Sequence, residues 1–170
     1  MNLLLLAVLS AALSVPTPFS VPGFRQYPAT EGLNSRVMLP RITDAPERKF
    51  HTVLSQAITK GYNVVEGGTE NERRGPNFGG HYVLVQWGCG TSCMYGALID
   101  ANTGKVFRLP QIPGAEQTGF KIPTIDLRSL LFRTNSRLLG VENIGDSQTY
   151  YYVLVHGQWR FLKKLPTPES

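Results

Sequence analysis

The stretch TYYYVLVHGQWRFLKKL, residues 149–165, sets the architecture of this chain. Two runs rich in aromatic and β-branched residues flank His156-Gly157, the tightest turn signal in the chain. A connection of two residues joins only antiparallel strands, because parallel neighbours need a crossover of a dozen residues or more. Working outward, residues 130–133 and 138–143 flank Thr134-Asn135-Ser136-Arg137 and read as a second hairpin. Further back, residues 94–99 and 105–109 enclose the turn Asp100-Ala101-Asn102-Thr103-Gly104, with a glycine where positive φ is wanted. Residues 81–87 form a strong strand and residues 62–65 a short one, separated by a glycine-rich, charged loop at 66–80. Between residues 110 and 123, Pro110, Pro113 and Pro123 point to a long loop.

One helix precedes these strands. Asp44 is placed to cap it, Pro46 suits its first turn, and Glu47 stands three residues after the cap. Phe50, Val53, Leu54, Ala57 and Ile58 recur at helical spacing, and Gly61 supplies the stop. His51, at the edge of that stripe, reads as a partly exposed helix residue. The expectation is an α+β fold: an antiparallel β meander of about seven strands, sandwich or half-barrel, with one N-terminal amphipathic helix over one face. No helical crossover separates the late strands, which disfavours a parallel sheet.

The organisation expected along the chain is simple. Residues 3–13, LLLLAVLSAAL, suit the apolar core of a signal peptide, with Ala12 and Ser14 before a cleavage point. No Lys or Arg precedes that run, which is atypical, and it falls well short of the ~20 apolar residues of a membrane-spanning helix. The reading is a signal peptide at 1–14, an irregular arm at 15–40, one domain at 41–166 and a tail at 167–170. The protein is then periplasmic or secreted, without a transmembrane segment. The net charge of +5 comes from scattered basic residues, and no nucleic-acid recognition motif accompanies it.

The segment GPNFGGHYVLVQWGCGTSC, residues 75–93, concentrates both cysteines, a histidine and a tryptophan around one strand. An oxidising compartment favours a disulfide between Cys89 and Cys93. Closing so short a ring contributes only about 2 kcal/mol by loop-closure entropy. Two cysteines and three scattered histidines, without paired spacings, do not make a zinc set, and no cofactor is expected. A spacer of three residues weakens a redox-dithiol reading. A nucleophilic Cys89 would need His81 or His156 as its base, with Asn143 or Asp146 orienting the latter. His81 and Cys89 lie about 25 Å apart if the strand extends between them. At the loop end, Arg73 and Arg74 beside glycine-rich backbone, with Asn77 and His81, form a candidate anion-binding set. Phe78 reads as a core anchor, Tyr150 to Tyr152 as sheet packing, and Trp159 with Phe161 as inward-facing neighbours on the last strand.

Gly75-Pro76-Asn77-Phe78, Gly80-His81-Tyr82 and Trp87-Gly88-Cys89-Gly90 resemble a motif of small exported bacterial proteins of uncharacterised function. Asn135-Ser136-Arg137-Leu138-Leu139 and Thr149-Tyr150-Tyr151-Tyr152 resemble the C-terminal strands of the same group. The resemblance covers about half the chain and implies export, bacterial origin and a β-rich fold. It implies no activity and no catalytic residues. Two function classes follow from the sequence. The first is a cell-envelope binding module, of inhibitor or immunity type, whose 66–80 loop meets another envelope protein or an anionic envelope ligand. The second is a cysteine-dependent hydrolase using Cys89 with His81 or His156.

Overall fold

The computed structural model describes residues 20–34, 36–59, 64–66, 69–71, 75–88, 94–114, 119–122, 130–143 and 145–167. Its elements are a 3-10 turn at Phe24–Gln26, a second at Ala45–Phe50 that runs into α1 (His51–Thr59), and ten strands. The strands are β1 (Val64–Glu66), β2 (Thr69–Asn71), β3 (Tyr82–Gly88), β4 (Met94–Asp100), β5 (Val106–Arg108), β6 (Lys121–Ile122), β7 (Leu130–Leu131), β8 (Leu138–Asn143), β9 (Gln148–Val155) and β10 (Gln158–Pro166). One sheet runs β3-β4-β5, with β6 beside β5 along the same edge of β4. The other runs β10-β9-β8-β7, and β1 pairs only with β2. Every pairing is antiparallel. The expected α+β class is the observed one: one helix and two antiparallel sheets whose main paths hold seven strands, with β6 added at the edge of one and β1-β2 apart.

The His156-Gly157 hairpin forms as its sequence demands. Gln158 faces Val155, and His156 (φ 48°) and Gly157 (φ 74°) both take positive φ, as a two-residue I′ turn requires. From that hairpin the meander stacks back through β8 to β7. Alternation then sorts its side chains. Leu139, Val141, Tyr150, Tyr152 and Leu154 meet Leu84, Met94 and Leu98 of the other sheet, with Phe78, Leu109 and Ile112 filling the gap. That shared core makes the two sheets a sandwich.

β3 and β4 are apolar on both faces because both are covered. Their second face, Val83, Val85, Trp87, Ala97 and Ile99, packs under Leu54, Ala57 and Ile58 of α1. Phe50 closes one side of this layer, its ring 4.8 Å from Tyr95, 5.4 Å from Trp87 and 5.7 Å from Phe120. Across the molecule, Leu138, Tyr151 and Leu165 form the outer face of the second sheet, covered by Phe24, Tyr27 and Leu162. A β-bulge between Phe161 and Lys163 puts both Leu162 and Leu165 on that outer side, where strict alternation would have separated them.

Three expectations need correction. The helix does not begin at Asp44 with α geometry; its first six residues are 3-10, and the Asp44 side chain caps nothing. Instead Arg108 of β5 donates from Nη2 to Asp44 at 3.1 Å and from Nε to Glu47 at 2.9 Å. The cross-layer pair thus takes the carboxylates that local capping would have used. Phe161 is not buried: it sits 47% exposed on the edge strand, its ring 5.5 Å from Tyr152. Trp159 does pack against the core. Finally, the long loop around residues 110–123 contains β6, a two-residue strand paired with Met94 and Tyr95. Gly61 lies outside the described residues.

Candidate functional site

The GPNFGG corner is built by backbone contacts. Asn77 is buried, and its side chain pairs with one residue of β3 as a neighbouring strand would. Its Nδ2 donates to the Leu84 carbonyl (2.9 Å), and Leu84 N–H donates to its Oδ1 (2.7 Å). Phe78, fully buried, exchanges backbone hydrogen bonds with Tyr82 across Gly79 and Gly80. Both glycines sit at positive φ and donate onward, Gly79 to Ser136 and Gly80 to Thr134, so the corner is tied to the β7–β8 turn. A Cβ at Gly80 would come within 2.0 Å of the Glu31 carbonyl oxygen. Only glycine lets the N-terminal arm pass so close.

His81 follows directly and is 5% exposed. Its Nδ1 faces the Glu31 carbonyl at 3.4 Å, its Nε2 faces Asp100 Oδ1 at 3.7 Å, and its ring lies 4.0 Å from that of Tyr82. Asp100 closes the β4–β5 turn: its carboxylate accepts from Asn102 N–H, Thr103 N–H and the Thr103 hydroxyl. Of the sequence-derived candidates, Asn77 and His81 therefore fall together at one end of β3. Both are held by internal contacts there. Arg73, Arg74, Cys89 and Cys93 lie outside the described residues, as do residues 67, 68 and 72 of the expected 66–80 binding loop.

The arm brings residues to this end that the sequence does not flag. Asn102 binds it twice, accepting from Asn34 N–H and donating to the Gly32 carbonyl. Met38 N–H donates to the Ala101 carbonyl and Arg41 N–H to that of Gly104, both at 2.7 Å. Gly104 (φ 75°) is again obligatory, since a Cβ would sit 2.2 Å from the Leu39 carbonyl oxygen. Arg41 consequently lies beside Lys105 as its parallel bridge partner.

Between this arm, the start of β5 and the His156-Gly157 turn opens a cleft of about 560 Å³, within the usual size for small-molecule sites. Arg41, Lys105 and Asp100 bring charge to its lining, while Tyr82, Val106 and Phe107 bring apolar surface. A second cavity of about 220 Å³ adjoins it, sharing Tyr82 and His156 and reaching His81 and Arg137. Arg137 is anchored through Nε to the Pro28 carbonyl and through Nη1 to that of Leu154. Burial first, then the carboxylates of Asp100 and Glu31, hold the Tyr82 phenol above its usual pKa, so it is a neutral donor at physiological pH. Among the described residues, no group of three metal-ligating side chains comes together.

No protein-family model, curated protein or solved structure matches the chain. The chemistry of this end therefore follows from its geometry alone. The signal that would have located it was partly legible: the Asp100–Gly104 turn and the His156-Gly157 turn are both read from sequence. What brings Arg41 beside Lys105 is a contact across 64 residues of chain, and no local pattern encodes it.

Proposed function

We propose that this chain is a binding module of the cell envelope, of inhibitor or immunity type, rather than a cysteine hydrolase. One observation carries the reading. Both histidines available to a nucleophilic Cys89 line the same small cavity at the start of β3, whereas Cys89 follows Gly88, the last residue of that strand. From His81 the chain runs seven steps along β3 to Gly88, about 23 Å at ordinary strand rise. His81 is also buried among Glu31, Asp100 and Tyr82, an environment that suits a structural imidazole. The two sulfurs fit a staple better than a catalytic thiol. Cys89 and Cys93 adjoin in sequence the cross-strand pair Gly88 and Met94, a place where a bond secures the end of a hairpin.

Export and the oxidising compartment remain part of this proposal and rest on residues 1–14 and the motif resemblance. No helix among the described residues is long and apolar enough to cross a membrane. Thiol alkylation of purified, non-reduced protein tests the reading. The expected result is no labelling before reduction and two labels after it, with an intact mass two hydrogens below that of the reduced form. One thiol that labels rapidly near neutral pH would overturn it in favour of the hydrolase.

A further inference from the structure

We propose that the cleft beside the β4–β5 turn binds a compact organic anion, a carboxylate or phosphate joined to an apolar ring, with Arg41 and Lys105 holding the charge and Phe107 and Tyr82 the ring. Three observations carry it. First, Arg41 and Lys105 are bridge partners, so two like charges stand side by side. That arrangement is destabilising unless something neutralises it. Among the described residues neither side chain has a carboxylate partner, whereas nearby Arg108 is paired with two. The one carboxylate residue lining the cleft, Asp100, has its side chain 13% exposed and already accepts three hydrogen bonds from its own turn.

Second, the cations are placed by the fold. Arg41 is fixed by its N–H bond to Gly104, and the obligatory glycine there keeps the arm in close approach. Lys105 extends along Phe107, its Nζ 4.9 Å from the ring centre. Third, the apolar wall is rigid. The Phe107 ring rests against Gly157 so closely that a Cβ there would stand 3.0 Å from it. The Tyr82 hydroxyl has no hydrogen-bond partner among the described residues, and Tyr82 lines both cavities. Paired cations beside an aromatic wall and a neutral phenol donor match an aromatic carboxylate or phosphate monoester. Such an anion gains charge-assisted hydrogen bonds from both cations.

The proposal rests on the binding-module reading in one respect, that the cleft holds a ligand and not a substrate. Its test and the thiol test fail independently. Calorimetric titration of the full protein uses phenyl phosphate, benzoate, inorganic phosphate and benzyl alcohol as probes. The expected order is phenyl phosphate and benzoate tightest, inorganic phosphate weaker, and benzyl alcohol inert. The double variant Arg41→Gln/Lys105→Gln should bind phenyl phosphate about tenfold more weakly or worse, while its ligand-free melting temperature is not lowered and rises slightly as the like-charge repulsion is removed. Absence of heat with every probe up to ~10 mM overturns the proposal. So does equal binding of benzyl alcohol, equal binding of inorganic and phenyl phosphate, or undiminished binding by the double variant. Should that variant fail to fold, wild-type affinity for phenyl phosphate must fall as salt rises, and a salt-independent affinity is the contrary result.

Discussion

Asn77 shows how a residue suggestive of binding can be consumed by the fold. Its amide donates to and accepts from the backbone of Leu84, so Asn77→Ala leaves a buried N–H and C=O unpaired. The expected loss is about 2–4 kcal/mol in urea unfolding, since each orphaned group costs ~1–3 kcal/mol. The glycines of the same segment divide by environment. Gly80 (φ 89°) faces the Glu31 carbonyl, while a Cβ added at Gly75 (φ 98°) would meet nothing within 4 Å. Gly75→Ala should therefore cost only backbone strain, about 1 kcal/mol. Gly80→Ala adds a backbone collision and should cost at least ~2 kcal/mol more while loosening the arm. Equal costs in parallel denaturation curves would show that the arm does not press on this corner. A sequence alone marks both as turn glycines; only the path of the arm separates them.

At the scale of elements, the hairpins are the part that sequence makes legible. His156-Gly157 and Asp100–Gly104 carry turn chemistry that admits few alternatives, and alternation between them sorts the faces. The helix is legible in its stripe but not in its start. The pairing of Arg108 with Asp44 and Glu47 joins residues more than sixty positions apart, and it overrides a local cap. Phe161 fails for a related reason: alternation assigns its face correctly, but β10 is an edge strand, and the ring stays half-exposed beside Tyr150 and Tyr152. The stripe itself is tested by Leu54, which is fully buried between α1 and β3. Leu54→Ala should lower stability by about 2–5 kcal/mol, the usual cost of a core truncation. A loss below ~1 kcal/mol would mean that the helix layer is not packed as described.

The whole molecule is a stack in which α1, two sheets and the N-terminal arm lie successively on one another, and its tyrosines make that stack sensitive to alkali. Burial, then the neighbouring Tyr150, pushes the Tyr152 phenol up to about 12. Tyr151 rises chiefly through burial and Tyr150 chiefly through its hydrogen bond to Asp146. Unfolded tyrosines ionise near pH ~10. The folded state thus keeps protons that the unfolded state releases, so the stability that Tyr152 contributes is complete below pH ~10 and vanishes as pH rises through about 12, with Tyr150 and Tyr151 acting in the same direction. Denaturant midpoints should fall steeply across that window. Tyr152→Phe, which also gives up the hydrogen bond to the Gln111 carbonyl, should lower the midpoint at neutral pH and flatten the fall.

The same stack separates two ends of β3: Gly88, which precedes Cys89 in sequence and pairs with Met94, at one, and the cleft with Arg41, Lys105 and His156 at the other. The functional reading depends on that separation, and phenyl phosphate binding by the Cys89→Ser/Cys93→Ser variant probes it. Measured below the variant's melting temperature, its affinity should match the wild type within about twofold, because sites this far apart act independently. A tenfold or greater loss of binding in the folded variant would place the cysteines in the site and contradict the separation.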